Sequence, residues 1–157
     1  MIRLKTYSVD EALSSMRRFC DFQERCHKNV REKLYKMNMV QEAVDYIVSQ
    51  LIQDNYLNEE RFAKSFARGK FRIKYWGKHR IVRELKLRDI SKYNIESALK
   101  EIDDNAYCET LDALAKKRVV QIKETNLFKK RKKLADYLLY RGWESHLVYE
   151  KVTELLK

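Results

Sequence analysis

The chain has 157 residues, 36% of them charged, with a net charge of +11, no proline and only three glycines. Set against the roughly 5% proline and 7% glycine of an average protein, a chain so poor in breakers and so rich in Leu, Lys, Glu and Arg is expected to be helical nearly throughout, without a convincing strand. Three cysteines with no Cys-x-x-Cys pair argue against a disulfide framework, no run of about 18 apolar residues argues for a membrane span, and MIRLKTYSVDEA lacks a signal's apolar centre; a soluble, cytoplasmic protein is expected.

Residues 1–9 are expected to fray. Asp10 is a candidate N-cap before Leu13, Met16 and Phe19, opening a helix to about Gln23. Helices are then expected over residues 28–36 and 40–53, with Met37 and Asn38 at the corner between them. Asn58 can cap the next helix, which Glu59, Glu60 and Arg61 open. On its wheel Phe62, Phe66, Gly69 and Ile73 fall together as the expected buried face, and Arg61, Lys64, Arg68 and Arg72 fall on another. Aromatics interleave with charges in Lys74-Tyr75-Trp76-Gly77-Lys78-His79-Arg80, where Gly77 is expected to allow a turn strained for other residues.

Residues 78–87 should form a helix burying Ile81, Leu85 and Val82, with Arg80, Arg83 and Lys86 toward solvent. Ser91 caps a helix ending near Ile102, and Asp103-Asp104 mark a join. A longer helix over residues 105–123 carries Leu111, Leu114 and Val119. After a polar break at Glu124-Thr125-Asn126, residues 128–140 begin with Lys129-Lys130-Arg131-Lys132-Lys133; Gly142 then serves as a C-cap and residues 144–156 close the chain.

Within this succession one apolar skeleton recurs three times without a gap. Leu34, Met39, Val44, Val48 and Leu51 repeat as Leu85, Ile90, Ile95, Leu99 and Ile102, and again as Leu138, Trp143, Val148, Val152 and Leu155. The steps are five, five, four and three in every copy: helix, tight corner, second helix. With the helix preceding each, the chain is expected to be an all-α, elongated, curved array of three tandem three-helix repeats resembling helix-turn-helix units, over residues 10–57, 58–103 and 104–157.

Charge is segregated over this array. Residues 61–92 hold twelve Lys/Arg against Glu84 and Asp89, a net +10; residues 116–133 hold nine against Glu124, a net +8, leaving −7 for the rest. Such a pattern suits a polyanion, although each stripe alone is also what a solvated helix face looks like. Candidates for nucleic-acid or partner contact are Arg61, Arg68, Arg72, Lys74, Lys78, Arg80, Arg83, Arg88, Lys129, Lys130, Arg131, Lys132 and Lys133. Tyr75 and Trp76 are candidates for base stacking, or, for Trp76, for plugging a helix joint. Cys26 beside His27 is an isolated ligand fragment without a second pair, and no phosphate loop, dinucleotide fingerprint or nucleophile elbow is present. Neither cofactor, metal nor catalytic residue is expected.

These residues carry a resemblance to the RecX family of bacterial regulators of the RecA recombinase. It is strongest in Asn55-Tyr56-Leu57-Asn58-Glu59-Glu60-Arg61-Phe62-Ala63, Trp76-Gly77-Lys78-His79-Arg80-Ile81, Leu85, Ile90, Ile95, Ala98-Leu99 and Glu101-Ile102, with Arg141-Gly142-Trp143 where the family usually has Arg-Gly-Phe. The segment Glu24-Arg25-Cys26-His27-Lys28 departs from the family's usual charged or Ser-Glu-rich start to the first repeat's second helix. The resemblance implies a non-enzymatic modulator, mainly an inhibitor, that lies in the groove of the RecA filament on single-stranded DNA and restrains ATP hydrolysis and strand exchange. A monomer that touches no membrane is expected. The alternative is a helical repeat protein that binds DNA independently of RecA.

Overall fold

The computed structural model describes residues 6–157, and residues 1–5 of the expected tail lie outside it. Among the described residues there are nine helices and no strand: α1 (Val9–Phe22), α2 (His27–Lys36), α3 (Gln41–Gln53), α4 (Glu59–Lys74), α5 (Lys78–Leu87), α6 (Lys92–Leu99), α7 (Asp104–Gln121), α8 (Leu127–Tyr140) and α9 (Ser145–Leu155). They pack as three consecutive triplets, α1–α3, α4–α6 and α7–α9.

The five-five-four-three skeleton has a local physical origin in each triplet. The first step of five is a C-terminal cap. Met39 N–H donates to the Leu34 carbonyl at 3.1 Å, Ile90 N–H to Leu85 at 3.1 Å and Trp143 N–H to Leu138 at 3.3 Å. The inner bonds Asn38 to Tyr35, Asp89 to Lys86 and Gly142 to Leu139 accompany them at 2.9–3.0 Å. This pair of bonds is the Schellman motif, whose C′ residue must take a left-handed backbone. Asn38 (φ 62°), Asp89 (φ 58°) and Gly142 (φ 92°) supply it, three residue types that tolerate that region.

The second step of five is the start of the next helix. Met39, Ile90 and Trp143 each precede the capping residue (Val40, Ser91, Glu144), and Val44, Ile95 and Val148 lie in the first turn beyond it. That is the spacing of a hydrophobic staple. The remaining steps of four and three keep the anchors on one helical face. All fifteen anchors lie in the core: twelve are buried, and Met39, Leu99 and Leu155 pack against them partly exposed.

Side-chain caps hold most of the other helix starts: Asn58, Ser91, Asp103 and Asn126 each accept from a backbone N–H three residues on. At α1 the cap is Ser8 rather than Asp10. Ser8 Oγ accepts from Glu11 N–H and Glu11 Oε1 accepts from Ser8 N–H, a reciprocal Ser-x-x-Glu box that leaves Asp10 on the first turn. Residues 8 and 9 therefore belong to the helix start and not to a frayed tail.

Two further expectations are corrected. The buried face of α4 is Phe62, Ala63, Ala67 and Phe71; Phe66 and Gly69 are only partly covered and Ile73 is 72% exposed. α4 lies along α6, and two alanines four residues apart let the axes approach. Gly77 has φ −78° and ψ 169°, open to any residue. The left-handed position there is Tyr75, at φ 58°. Gly77 is needed instead for contact: a Cβ on it would lie 2.5 Å from the C and O of Gly142 and from the N of Trp143.

That contact joins the second triplet to the third. Gly77 N–H donates to the Arg141 carbonyl at 2.8 Å and His79 N–H to the Gly142 carbonyl at 3.0 Å. The Trp143 indole donates to the Tyr75 carbonyl at 3.1 Å. Lys78 N–H donates to the Tyr107 hydroxyl at 2.8 Å, and that hydroxyl donates to the Glu144 carboxylate. The rings of Phe71, Tyr107 and Trp143 pack together beneath, with centroids 4.4–6.5 Å apart. One core runs through both triplets, while α1–α3 close around a core of their own from Ala12 to Leu57. The first joint is largely polar: Arg61 to Glu24 at 2.7 Å, His27 to Glu59 at 2.8 Å and Lys28 to the Leu87 carbonyl at 2.8 Å, with Cys26 alone reaching the second core.

Candidate nucleic-acid and partner interface

The basic residues singled out by sequence fall into two groups once their neighbours are known. Some are held inside the fold. Arg61 donates to Glu24, to Asn55 Oδ1 and to the Asn55 and Tyr56 carbonyls at 2.7–3.2 Å, bracketing the loop before α4. Arg68 pairs with Glu101 at 3.4 Å, Lys78 with Asp104 at 3.7 Å and Arg88 with Glu84 at 3.1 Å. Arg131 donates to the Leu156 carbonyl at 2.7 Å, Lys132 pairs with Asp136 and Lys133 with Glu124. Arg80, expected toward solvent, is half-buried between the Trp76 ring at 4.3 Å and the Tyr140 ring at 4.9 Å.

The others are uncompensated. Among the described residues, Arg72, Lys74 and Arg83 are exposed and form no ion pair, and neither do Lys129 and the half-buried Lys130. Tyr75 is 48% exposed on its left-handed turn. Trp76 is half-buried against Phe66, with Lys70 5.0 Å and Arg80 4.3 Å from its ring centroid, so base stacking would have to displace a cation. No hydrogen bond, ion pair or ring contact ties the run Lys129 to Lys133 to the second triplet; α8 meets α5 through Tyr140 and Arg80 instead.

The fold also assembles a surface the sequence did not single out. Between α1–α2 and the outer face of α4 runs a groove of about 640 Å³. Phe19, Phe66 and Ile73 line it with Arg25, Lys33, Lys36 and Lys70; of the sequence candidates it takes in Lys74 and Arg88. Its apolar members were visible in the sequence, but as part of the face expected to be buried.

Titratable groups elsewhere are tuned for packing. Burial, then the Glu144 hydrogen bond, pushes the Tyr107 hydroxyl well up, so it remains a donor. Burial pushes the Cys20 thiol up to about 11 and raises that of Cys26, whose S–H donates to Asn29 Oδ1. His27 Nδ1 lies 2.8 Å from Glu59 Oε1, so Cys26 and His27 are engaged with different partners. Cys108, unlike these two, is exposed. Among the described residues no cluster of His, Cys, Asp or Glu could hold a metal ion, and no helix is long and apolar enough to cross a membrane.

Comparison with known proteins places this arrangement. Sequence profiles described as "RecX, second three-helix domain" and "RecX, third three-helix domain" match residues 58–99 and 105–152. A protein of Chlorobium phaeobacteroides named "Regulatory protein RecX" is 31% identical over 134 residues, 85% of this chain and 86% of its own length. One of the same name from Prosthecochloris aestuarii is 28% identical over 146 residues, 93% of this chain and 94% of its own. The crystal structure of RecX from Lactobacillus salivarius shares the fold, with a TM-score of 0.79 at 22% identity over 94% of this chain and 96% of that one. A skeleton written three times, two of its copies matched by these profiles, and a relative aligned across most of both chains establish that this protein belongs to the RecX family.

Proposed function

We propose that this chain is a non-enzymatic regulator of the RecA recombinase that acts as a monomer in the cytoplasm, binding the RecA filament on single-stranded DNA and restraining its ATP hydrolysis and strand exchange. The observation that carries this reading is the uncompensated charge: among the described residues, Arg72, Lys74, Arg83, Lys129 and Lys130 meet no carboxylate. Cations left unpaired release counterions when they meet phosphates, at no cost in broken ion pairs. Arg68, Lys78, Arg88, Lys132 and Lys133 would have to exchange a carboxylate for a phosphate and so contribute less. Arg61 and Arg131 hold loop and C-terminal carbonyls, and Tyr75 offers an exposed ring for stacking. Inhibition needs no chemistry by this chain. Preferential binding to one filament state shifts the protomers toward it by the difference in affinity between states.

The same free cations also fit a protein that binds DNA without RecA. The deciding experiment compares affinity for bare and RecA-coated single strands and measures RecA ATPase with the wild-type chain and with Arg72→Glu/Arg83→Glu/Lys129→Glu/Lys130→Glu. Regulation predicts tighter binding to the coated strand and inhibition weakened by charge reversal. Equal binding to both strands supports the DNA-only reading, and undiminished inhibition by the reversed variant removes these cations from the mechanism.

A further inference from the structure

The groove between α1–α2 and α4 has the chemistry of a peptide site. Its walls carry six cations, Arg25, Lys33, Lys36, Lys70, Lys74 and Arg88, against Glu24 and Glu32, and Glu24 is already tied to Arg61. Its apolar surface is one that a monomer has no internal reason to leave open: Ile73 is 72% exposed, and Gly69 has nothing within 4 Å of where a Cβ would stand. A volume of about 640 Å³ falls within the roughly 300–1,000 Å³ usual for ligand clefts.

Two observations separate a peptide from a nucleic acid here. The aromatic rings are already taken by cations: Arg25 lies 3.7 Å and Lys33 4.6 Å from the Phe19 centroid, and Arg88 4.9 Å and Lys70 5.5 Å from that of Phe66. Bases would have to displace them to stack, whereas carboxylates approach the same cations from outside and leave the rings in place. Secondly, Ile73 stands 72% exposed among the cations. An apolar peptide side chain can cover it, whereas a phosphodiester backbone brings only charge and polar oxygen.

We infer that this groove docks an acidic peptide segment of a partner protein, with a bulky apolar side chain seated against Ile73 and carboxylates on the lysines of α2 and α4. The groove shares Lys74 and Arg88 with the phosphate-binding role proposed above, but the inference rests on Ile73, Lys33, Lys36 and Lys70, which that role does not use.

The test is fluorescence anisotropy of a short labelled peptide of Glu and Asp around two Leu residues one helical turn apart, alongside the same peptide with Ser for Leu, and labelled oligothymidylate. The Leu peptide should bind at least about tenfold more tightly than the Ser peptide, and Lys33→Glu/Lys36→Glu or Ile73→Ser should each weaken it about tenfold or more. All three positions are exposed, and amide NMR of the unaltered protein gives a second readout: the Leu peptide should shift Phe66, Gly69, Lys70 and Ile73. Equal affinity for the Leu and Ser peptides, shifts confined to other surfaces, or loss of oligothymidylate binding by the groove variants with peptide binding intact would overturn the assignment.

Discussion

Gly77→Ala tests how the second and third helix triplets are joined. The backbone at Gly77, φ −78° and ψ 169°, accepts alanine without strain, so any cost must come from contact. The added Cβ would lie 2.5 Å from three backbone atoms of Gly142 and Trp143, none of which can rotate away. Relief requires the two loops to part, which weakens the Gly77 to Arg141 and His79 to Gly142 hydrogen bonds. Overpacking costs about 1–3 kcal/mol and the two bonds contribute about 0.5–1.5 kcal/mol each. The lower entropy of the unfolded alanine chain returns about 0.4–1 kcal/mol. The net expectation is a loss of about 2–4 kcal/mol, or a fall in Tm of about 5–15 °C for a domain of this size. The assay is urea unfolding followed by tryptophan fluorescence, because Trp76 and Trp143 are the chain's only tryptophans and both sit at this joint. Gly69→Ala is the control with the opposite sign: it lies mid-helix with no atom in reach, and alanine should stabilise by about 0.5–1 kcal/mol. A Gly77→Ala protein within about 1 kcal/mol of wild type, or a Gly69→Ala protein less stable than it, would refute this account of the joint.

Tyr107→Phe leaves the Lys78 N–H and the Glu144 carboxylate without the hydroxyl between them, and should cost about 1–3 kcal/mol in the same urea assay. Thiol labelling at pH 8 should modify Cys108 rapidly and Cys20 slowly, since a thiol pushed up to about 11 is ionised in only about one molecule in a thousand there. The linked stability has a defined sign: the fold favours the protonated Cys20 thiol, so its contribution is complete below the unfolded value of 9.0 and is lost as pH rises toward about 11. Cys20→Ala should therefore lose less stability than wild type across that window when both are melted at each pH. For nucleic acid, replacing Arg72, Arg83, Lys129 and Lys130 by alanine should flatten the dependence of log affinity for single strands on log salt by about 0.7 for each phosphate no longer neutralised. Arg61→Ala should leave that slope unchanged and lower stability by about 1 kcal/mol, since its partners are half-exposed loop groups.

What the sequence determined by itself is everything decided within about one turn of chain. The spacing of Leu85, Ile90 and Ile95 is a Schellman cap followed by a staple, each closed by residues no more than five apart, so the same pattern announces itself at Leu34 and at Leu138. Asn58 and Ser91 as caps, and the bounds of α5, were legible for the same reason. The box of Ser8 and Glu11 is equally local, and its Ser-x-x-Glu spacing is a property of the sequence alone.

Only the tertiary structure decided which of two stripes on α4 goes inside. Phe62, Phe66, Gly69 and Ile73 make a plausible face on a wheel, yet of these only Phe62 is buried, with Ala63, Ala67 and Phe71, because α6 needs close approach and Phe71 meets Tyr107 and Trp143 from the next triplet. A wheel carries no information about that partner. Gly77 looked like a turn residue because its neighbour in space, Gly142, is remote in sequence. The charges divide in the same way. Composition shows how many lysines and arginines there are, but whether Arg61 meets Glu24, or Arg72 lacks an ion pair among the described residues, depends on which segments the fold brings together, and that pairing decides which cations are left for a partner.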